Sequence, residues 1–333
     1  MAANYPFATI EPNIGVVPVP DKRLAKLAEA IEKSEGKKPP QIPATVEFVD
    51  IAGLVAGASQ GQGLGNKFLS HIRPVSIICQ VLRVFPDPDV IHVSGDVNPN
   101  RDREILETEL ILADLQTLAK QKEPRYTIDN KQLARWKLIK RTEAELNKGK
   151  KAIEVLTSDE DGKLLRDLHL LTAKPILYVI NVSEAQLQKK ISDEVSLKGL
   201  THSIAICAKT ESELADLSTE DQSLYLKQLG LESSGLDRII NIAYKMLDLV
   251  SFLTAGVIET RAWTIKKGTK APQAAGVIHT DFEKKFIKAD IADINTFFSL
   301  GGWVKCREAG KVRTEGKDYE IKDGEVVEFK IGT

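Results

Sequence analysis

A short run of β-branched and aromatic residues that stops at an aspartate and opens into glycines constrains this chain more than any other stretch. Thr45-Val46-Glu47-Phe48-Val49-Asp50 reads as a strand. Gly53 follows three residues after Asp50, and Gly57, Gly61, Gly63 and Gly65 come before Asn66. An Asp at the carboxyl end of a strand suits Mg²⁺, which keeps most of its waters and needs few protein ligands. A Gly three residues on lets a backbone N–H approach a γ-phosphate with no Cβ in the way. The glycine run supplies a segment that orders and disorders with that phosphate. An ordinary glycine-rich loop shares the composition, but strand, D-x-x-G and long loop together favour a nucleotide switch.

The 333 residues and formal net charge of −1 suit two or three soluble domains. No apolar run reaches the ~18 residues of a membrane span, so no membrane partner is expected. Met1-Ala2-Ala3-Asn4-Tyr5-Pro6 carries neither the basic nor the apolar segment of a secretory signal. Cys79, Cys207 and Cys306 are far apart with no C-x-x-C, which fits a reducing cytoplasm better than a disulfide framework or a zinc site. The five histidines show no metal-ligand spacing.

Taken in order, Asp21 reads as the N-cap of a helix over 21–34, with Leu24, Leu27 and Ile31 on one side. Ser76 to Phe85 suits a strand buried on both faces. Residues 102–123 and 130–157 predict two long helices around a turn at Pro124, an antiparallel hairpin in which Ile139, Leu146 and Ile153 recur every seventh residue. The second arm is basic: Lys131, Arg135, Lys137, Lys140, Arg141, Lys148, Lys150 and Lys151. A solvated helix face and a contact with RNA phosphates account equally for that run. Pro175-Ile176-Leu177-Tyr178-Val179-Ile180 predicts a buried strand, Ser203–Cys207 a shorter one, and 235–250 a helix. Strands alternating with helices argue a parallel α/β sheet. After about residue 252 a compact α+β domain is expected, with a strand at Glu259–Ile265. Its end is expected as a hairpin of Tyr319–Lys322 and Val326–Ile331 turning at Asp323-Gly324.

Asn181-Val182-Ser183-Glu184 follows the buried strand where a GTPase carries N-K-x-D. In that motif the Asp accepts from guanine's ring N–H and amino group. Glu184 is one methylene longer and is misplaced for that bidentate contact, which leaves adenine no worse served.

These stretches, with Tyr5–Asn13, Ile91-His92-Val93-Ser94-Gly95, Thr254–Gly256, Arg261–Thr264, Ala271–Gly276, His279–Lys284 and Glu315–Tyr319, resemble the YchF (Obg-like) ATPase family. The resemblance implies a P-loop NTPase-type G domain split as 1–101 and 167–250. It places an inserted helical hairpin at 102–166 and a C-terminal β-grasp TGS domain at 251–333. It implies ATP and Mg²⁺ as cofactors and the ribosome, large subunit and whole particle, as partner, with RNA on the basic arm. By position, Thr9 and Asp50 become Mg²⁺ ligands and Gly53 part of the second switch. Asn181, Val182 and Glu184 form the base pocket, closed by Cys207 and Ala208. Leu54 stands where many GTPases orient water with Gln, so another group must do so. His92 is the candidate, although a solvent-facing loop histidine is the plainer reading of its position.

One departure stands out. No G-x-x-x-x-G-K-[ST] occurs, since each Gly-Lys pair is followed by something other than Ser or Thr. That loop supplies most of the phosphate affinity of such proteins. The expectation is a chain whose first strand and P-loop are missing and which binds ATP poorly. A start placed too late and a genuinely short chain both explain this, and the persisting switch and base motifs favour the first. A non-hydrolysing ribosome- or RNA-binding module and a GTPase are the competing readings.

Overall fold

Capping chemistry sets the first element boundaries in the computed structural model, which describes residues 13–50, 72–87, 95–124, 129–188 and 200–332. Strand β1 (Asn13–Pro18) is followed by helix α1 (Lys22–Glu35). The Asp21 side chain accepts from the Arg23 N–H, as expected of the N-cap, and Gly36 ends the helix at φ 75°, where a Cβ is costly. Next come β2 (Gln41–Ile42), β3 (Thr45–Asp50) and β4 (Ile78–Arg83). Helices α2 (Pro99–Ala119), α3 (Asn130–Leu146), α4 (Ala152–Val155) and α5 (Asp159–Leu165) lead to β5 (Ile176–Asn181). Then follow α6 (Glu184–Gln188), β6 (Ser203–Ile206), α7 (Ala208–Ala215), α8 (Thr219–Gln228) and α9 (Gly235–Met246). The last stretch is β7 (Leu249–Ala255), β8 (Thr260–Lys266), α10 (Ala271–Ile278), α11 (Thr280–Lys284), β9 (Phe286–Ala292), α12 (Ile294–Leu300), α13 (Trp303–Glu308), β10 (Arg313–Glu315) and β11 (Val326–Ile331). Strands β1 and β3 pair with each other in a sheet of their own.

The chain divides into two compact units, one combining Met1–Gly15 with Val49–Arg238 and the other combining Val16–Phe48 with Ile239–Thr333. In the first, β4, β5 and β6 form a parallel sheet in that order, with Leu82 opposite Ile180 and Ile180 opposite Ala205. Parallel neighbours need long crossovers, which the intervening helices supply. Strand β5 is buried from Ile176 through Ile180, as its apolar run predicts. Strand β4 departs from expectation: Leu82 is 1% exposed but its neighbour Val81 is 60% exposed. Only the Leu82 side packs into the cluster with Ile180, Leu110 and Leu171.

The helical hairpin forms, but its second arm is shorter than predicted. Helix α3 stops at Leu146, Gly149 turns the chain at φ 82°, and α4 starts afresh at Ala152. Leu118 of α2 packs with Leu138, Ile139 and Leu146 of α3, whereas Ile153 sits on the separate α4 and is 43% exposed. The seven-residue recurrence therefore ends one step early.

The second unit is built on a six-stranded sheet of order β10-β9-β11-β7-β8-β2. The final strand β11 lies between β7, to which it is parallel, and β9, to which it is antiparallel. Both faces are covered. Phe252, Ile291 and Val327 point into a cluster with Ala271, Ala274 and Ala275 of α10. Their chain neighbours Leu253, Ala292 and Val326 point the other way, into a cluster with Leu27 and Ile31 of α1 and Phe297 of α12. Thus α1 and β2, from the amino-terminal part of the chain, complete a unit formed otherwise by residues from Ile239 onward.

The expected terminal hairpin does not form. Tyr319–Lys322 is not a strand, and Glu320 makes only an isolated bridge to Lys270. Asp323 accepts from the Ser251 N–H at 2.9 Å and Gly324, at φ 78°, donates to the Ser251 carbonyl at 2.8 Å. The Asp-Gly turn thereby fastens the chain to β7, and β11 finds its partners in β9 and β7.

Candidate functional site

The ends of β5 and β6 bring together the residues expected around a purine base. Asn181 is the last residue of β5 and lies opposite Ile206 of β6. Its side-chain oxygen Oδ1 accepts from the Ala208 N–H at 3.1 Å, a bond that ties the loop after β5 to the start of α7. Beside it the Val182 N–H donates to the Ile206 carbonyl at 2.8 Å, extending the ladder by one rung. Val182 and Cys207 are each 3% exposed, and both side chains belong to the core cluster of this unit. Their burial leaves the polar groups at these strand ends to Asn181, Glu184 and Ala208.

Glu184 starts α6, whose first turn is organised by a reciprocal cap. The Ser183 N–H donates to Gln186 Oε1 at 2.9 Å, and the Gln186 N–H donates to Ser183 Oγ at 3.3 Å. This is a capping box, and Ser183-x-x-Gln186 was there to be read in the sequence. Lys209, which no motif in the sequence marks, places its Nζ 3.7 Å from Glu184 Oε2 and 4.0 Å from Glu213 Oε1. Both partners are well exposed, so the pair is worth little in stability. Its effect is to orient the Glu184 carboxylate toward α7.

Asp50 is exposed at the carboxyl end of β3. Thr9, Gly53 and His92, the other proposed metal, switch and catalytic residues, lie outside the described residues. Among the described residues no group of three or more His, Cys, Asp or Glu is placed to hold a metal ion, and no helix is long and apolar enough to cross a membrane.

The basic arm resolves largely into internal pairs. Arg135 meets Asp167 at 2.6 Å, Lys140 meets Glu143 at 2.8 Å, and Arg141 meets Asp161 at 2.9 Å. Lys148 and Lys150 share Glu145, at 2.6 and 2.7 Å, and Lys151 lies 3.4 Å from Glu107. Of the eight cations only Lys131 and Lys137 have no ion pair among the described residues.

Comparison with known proteins places the chain among relatives. Residues 1–182 match the family MMR_HSR1, described as "50S ribosome-binding GTPase", and residues 249–332 match YchF-GTPase_C, described as "Protein of unknown function (DUF933)". The "Ribosome-binding ATPase YchF" of Bacillus subtilis (strain 168) is 44% identical over 347 residues, covering 99% of this chain and 92% of that protein. The protein so described from Escherichia coli O157:H7 is 44% identical over 337 residues, covering 98% of this chain and 91% of its own length. A solved structure, that of the Schizosaccharomyces pombe YchF GTPase, superposes with a TM-score of 0.80 at 37% identity, covering 98% of this chain and 90% of that one. Fold and matches together define an α/β protein with a P-loop GTPase-type G domain. Within that class, the chain belongs to the YchF family.

Proposed function

We propose that this protein is a cytoplasmic, ribosome-associated ATPase that seats an adenine base where β5 and β6 end. The observation that carries the reading is the Ala208 N–H to Asn181 Oδ1 bond. It uses the amide oxygen and leaves the Asn181 Nδ2 donor for a purine N7 acceptor. It also uses the Ala208 N–H, which is then not offered to the exocyclic oxygen that guanine has and adenine lacks. Glu184 in place of Asp, drawn toward Lys209, adds to the bias against guanine. The names borne by the relatives, ribosome-binding ATPase and 50S ribosome-binding GTPase, support the ribosome as partner and a nucleotide as ligand.

Asp50 fits a hydrated Mg²⁺: it is a hard oxygen donor, and its exposure leaves room for the ion's water shell. Thr9 is its proposed companion. Bound there, the ion supplies positive charge against the terminal phosphates. Gly53 offers a backbone N–H to the γ-phosphate, and His92 orients the attacking water in place of the apolar Leu54. Residues 251–333 are read as a TGS module of β-grasp type, supported by the last strand lying parallel to β7 with a helix packed across the sheet. The large subunit and the whole ribosome are the proposed docking partners.

The absence of G-x-x-x-x-G-K-[ST] from these residues carries a second reading, a binding module that does not turn over ATP. Under either reading these 333 residues bind nucleotide weakly, because the cradle of backbone N–H groups that grips phosphates is not among them. Calorimetry of this chain with ATP and GTP, with and without Mg²⁺, tests the proposal. Weak binding that favours ATP is expected. Tight Mg²⁺-dependent binding contradicts the weak-phosphate part, and a preference for GTP contradicts the adenine assignment.

A further inference from the structure

A cleft of ≈ 600 Å³ lies where α4, α5 and the segment after α5 meet. Ile153, Leu156 and Leu170 contribute its apolar wall, and Lys163, Arg166 and His169 its exposed polar side. The local sequence does not announce a basic site: Asp159, Glu160, Asp161 and Asp167 outnumber its cations. The structure redistributes these charges. Asp161 is taken by Arg141 and Asp167 by Arg135, both on α3. Asp159, itself part of the cleft's lining, and Glu160 sit in the first turn of α5, where the helix N-terminus favours them. Lys163, Arg166 and His169 have no ion pair among the described residues.

The cleft stands on a rigid base. The carboxylate of Asp114, 0% exposed, accepts from the N–H groups of Leu171 and Thr172 and from the Thr172 hydroxyl at 2.7 to 2.8 Å. The Thr172 hydroxyl in turn accepts from the Ala152 N–H at the start of α4. Arg73 donates to the carbonyls of Leu168 and His169, and Lys174, also in the lining, donates to those of Arg73 and Val75. His169 itself is held at φ 46°, in the left-handed region that a residue with a Cβ seldom occupies. Strain of about 1–2 kcal/mol there is sustained by the surrounding bonds.

We propose that this cleft, and not the basic face of α3, is where the protein grips an RNA chain. Lys163 and Arg166 take backbone phosphates, and the apolar wall of Ile153 and Leu156 receives an unstacked base. Cations already neutralised by neighbouring carboxylates displace few of the counterions condensed on RNA phosphates, whereas unpaired ones displace them on contact. An open groove with charge along one side and apolar surface along the other matches a single strand better than a duplex. The assignment deepens the ribosome-association reading and rests on it for the identity of the RNA.

The test uses the full chain, a fluorescein-labelled single-stranded RNA and salt-dependent anisotropy. The K163E/R166E variant is expected to bind at least tenfold more weakly and to lower the salt slope by about 1.4, at about 0.7 per lost phosphate contact. The K131E/K137E variant on α3 is expected to stay within twofold of the parent. All four side chains are at the surface, and unchanged thermal melts confirm folding. Wild-type-like binding by K163E/R166E, an equal loss in K131E/K137E, or no binding by the parent overturns the assignment. Displacement of the RNA by an equal concentration of a poly-glutamate peptide overturns it in favour of an acidic protein segment. Co-sedimentation with ribosomes separates the two levels. If the parent fails to sediment while the RNA losses appear, the ribosome reading falls and the cleft stands. If the parent sediments and the RNA binding ignores Lys163 and Arg166, the cleft alone falls.

Discussion

Replacing Asp114 tests whether the base of the insert is held as described. The carboxylate accepts three hydrogen bonds, from Leu171 N–H, Thr172 N–H and the Thr172 hydroxyl. In Asp114→Ala the hydroxyl can turn elsewhere, but the two amides are left without a partner in the interior. A buried donor stranded in this way costs about 1–3 kcal/mol, so the two together cost about 2–6. Part is returned, because burial pushes the Asp114 carboxyl above its usual value and the mutant no longer carries that charge. The expected net loss is about 2–4 kcal/mol, a large share of the 5–15 typical of a whole domain. Asp114→Asn keeps the shape and one acceptor and should lose about half as much. The pH dependence has a definite sign. A raised carboxyl holds its proton to higher pH in the folded state, so its contribution to stability falls as pH rises from 3.8 toward that raised value. Urea unfolding with amide exchange at Leu171 and Thr172 reads the effect. An Asp114→Ala midpoint equal to wild type, or unchanged exchange at those amides, refutes the reasoning.

Three further outcomes are expected. Glu184→Asp shortens the carboxylate by one methylene and should shift the ATP-to-GTP affinity ratio several-fold toward GTP; an unchanged ratio removes Glu184 from base selection. Leu27→Ala empties a site that is 0% exposed between α1 and the sheet of the second unit, at a cost of about 2–5 kcal/mol. In a Trp136→Phe background the remaining tryptophans, Trp263 and Trp303, both report on that unit, so their unfolding transition should move to lower urea; a transition that stays put refutes the packing of α1. Lys148 and Lys150 hydrogen-bond the Glu145 carboxylate and hold its pKa at about 2, against the usual 4.5. Its contribution to stability is full above 4.5 and is lost as pH falls toward about 2. Carboxyl-detected NMR should find Glu145 titrating near pH 2, and K148A/K150A should return it toward 4.5.

Local chemistry was legible and partnership was not. Asp21 and the stripe of Leu24, Leu27 and Ile31 predicted α1 and its buried face, yet nothing in that stripe says which sheet it covers. The continuous apolar run of β5 and the polar Asn181 at its end were plain, because a strand buried on both faces has no other composition. Strand β9 carries no clear signal in the sequence, where Asp290 interrupts its apolar pattern; that carboxylate, only 8% exposed, accepts from Thr314 on the neighbouring strand. Asp323-Gly324 carried a strong hairpin signal that long-range pairing overrode. The break at Gly149 was visible as a glycine but was outweighed by the heptad spacing on either side. At the proposed base site the sequence offers Asn181, Val182, Glu184, Cys207 and Ala208 by residue type, while only the structure shows that Val182 and Cys207 are buried and leave the exposed polar groups to the other three. The pairing of the basic arm depends on acids up to 44 residues away, as in Lys151 with Glu107, which no local window captures.

The claim that purine selection resides at the ends of β5 and β6 is tested most directly by following the Asn181 side-chain amide and the Ala208 backbone amide during nucleotide titration. The account predicts that both resonances move with ATP at lower concentration than with GTP, and that Asn181→Ala abolishes the response. Resonances that stay in place while ATP binds elsewhere, or that respond first to GTP, contradict it.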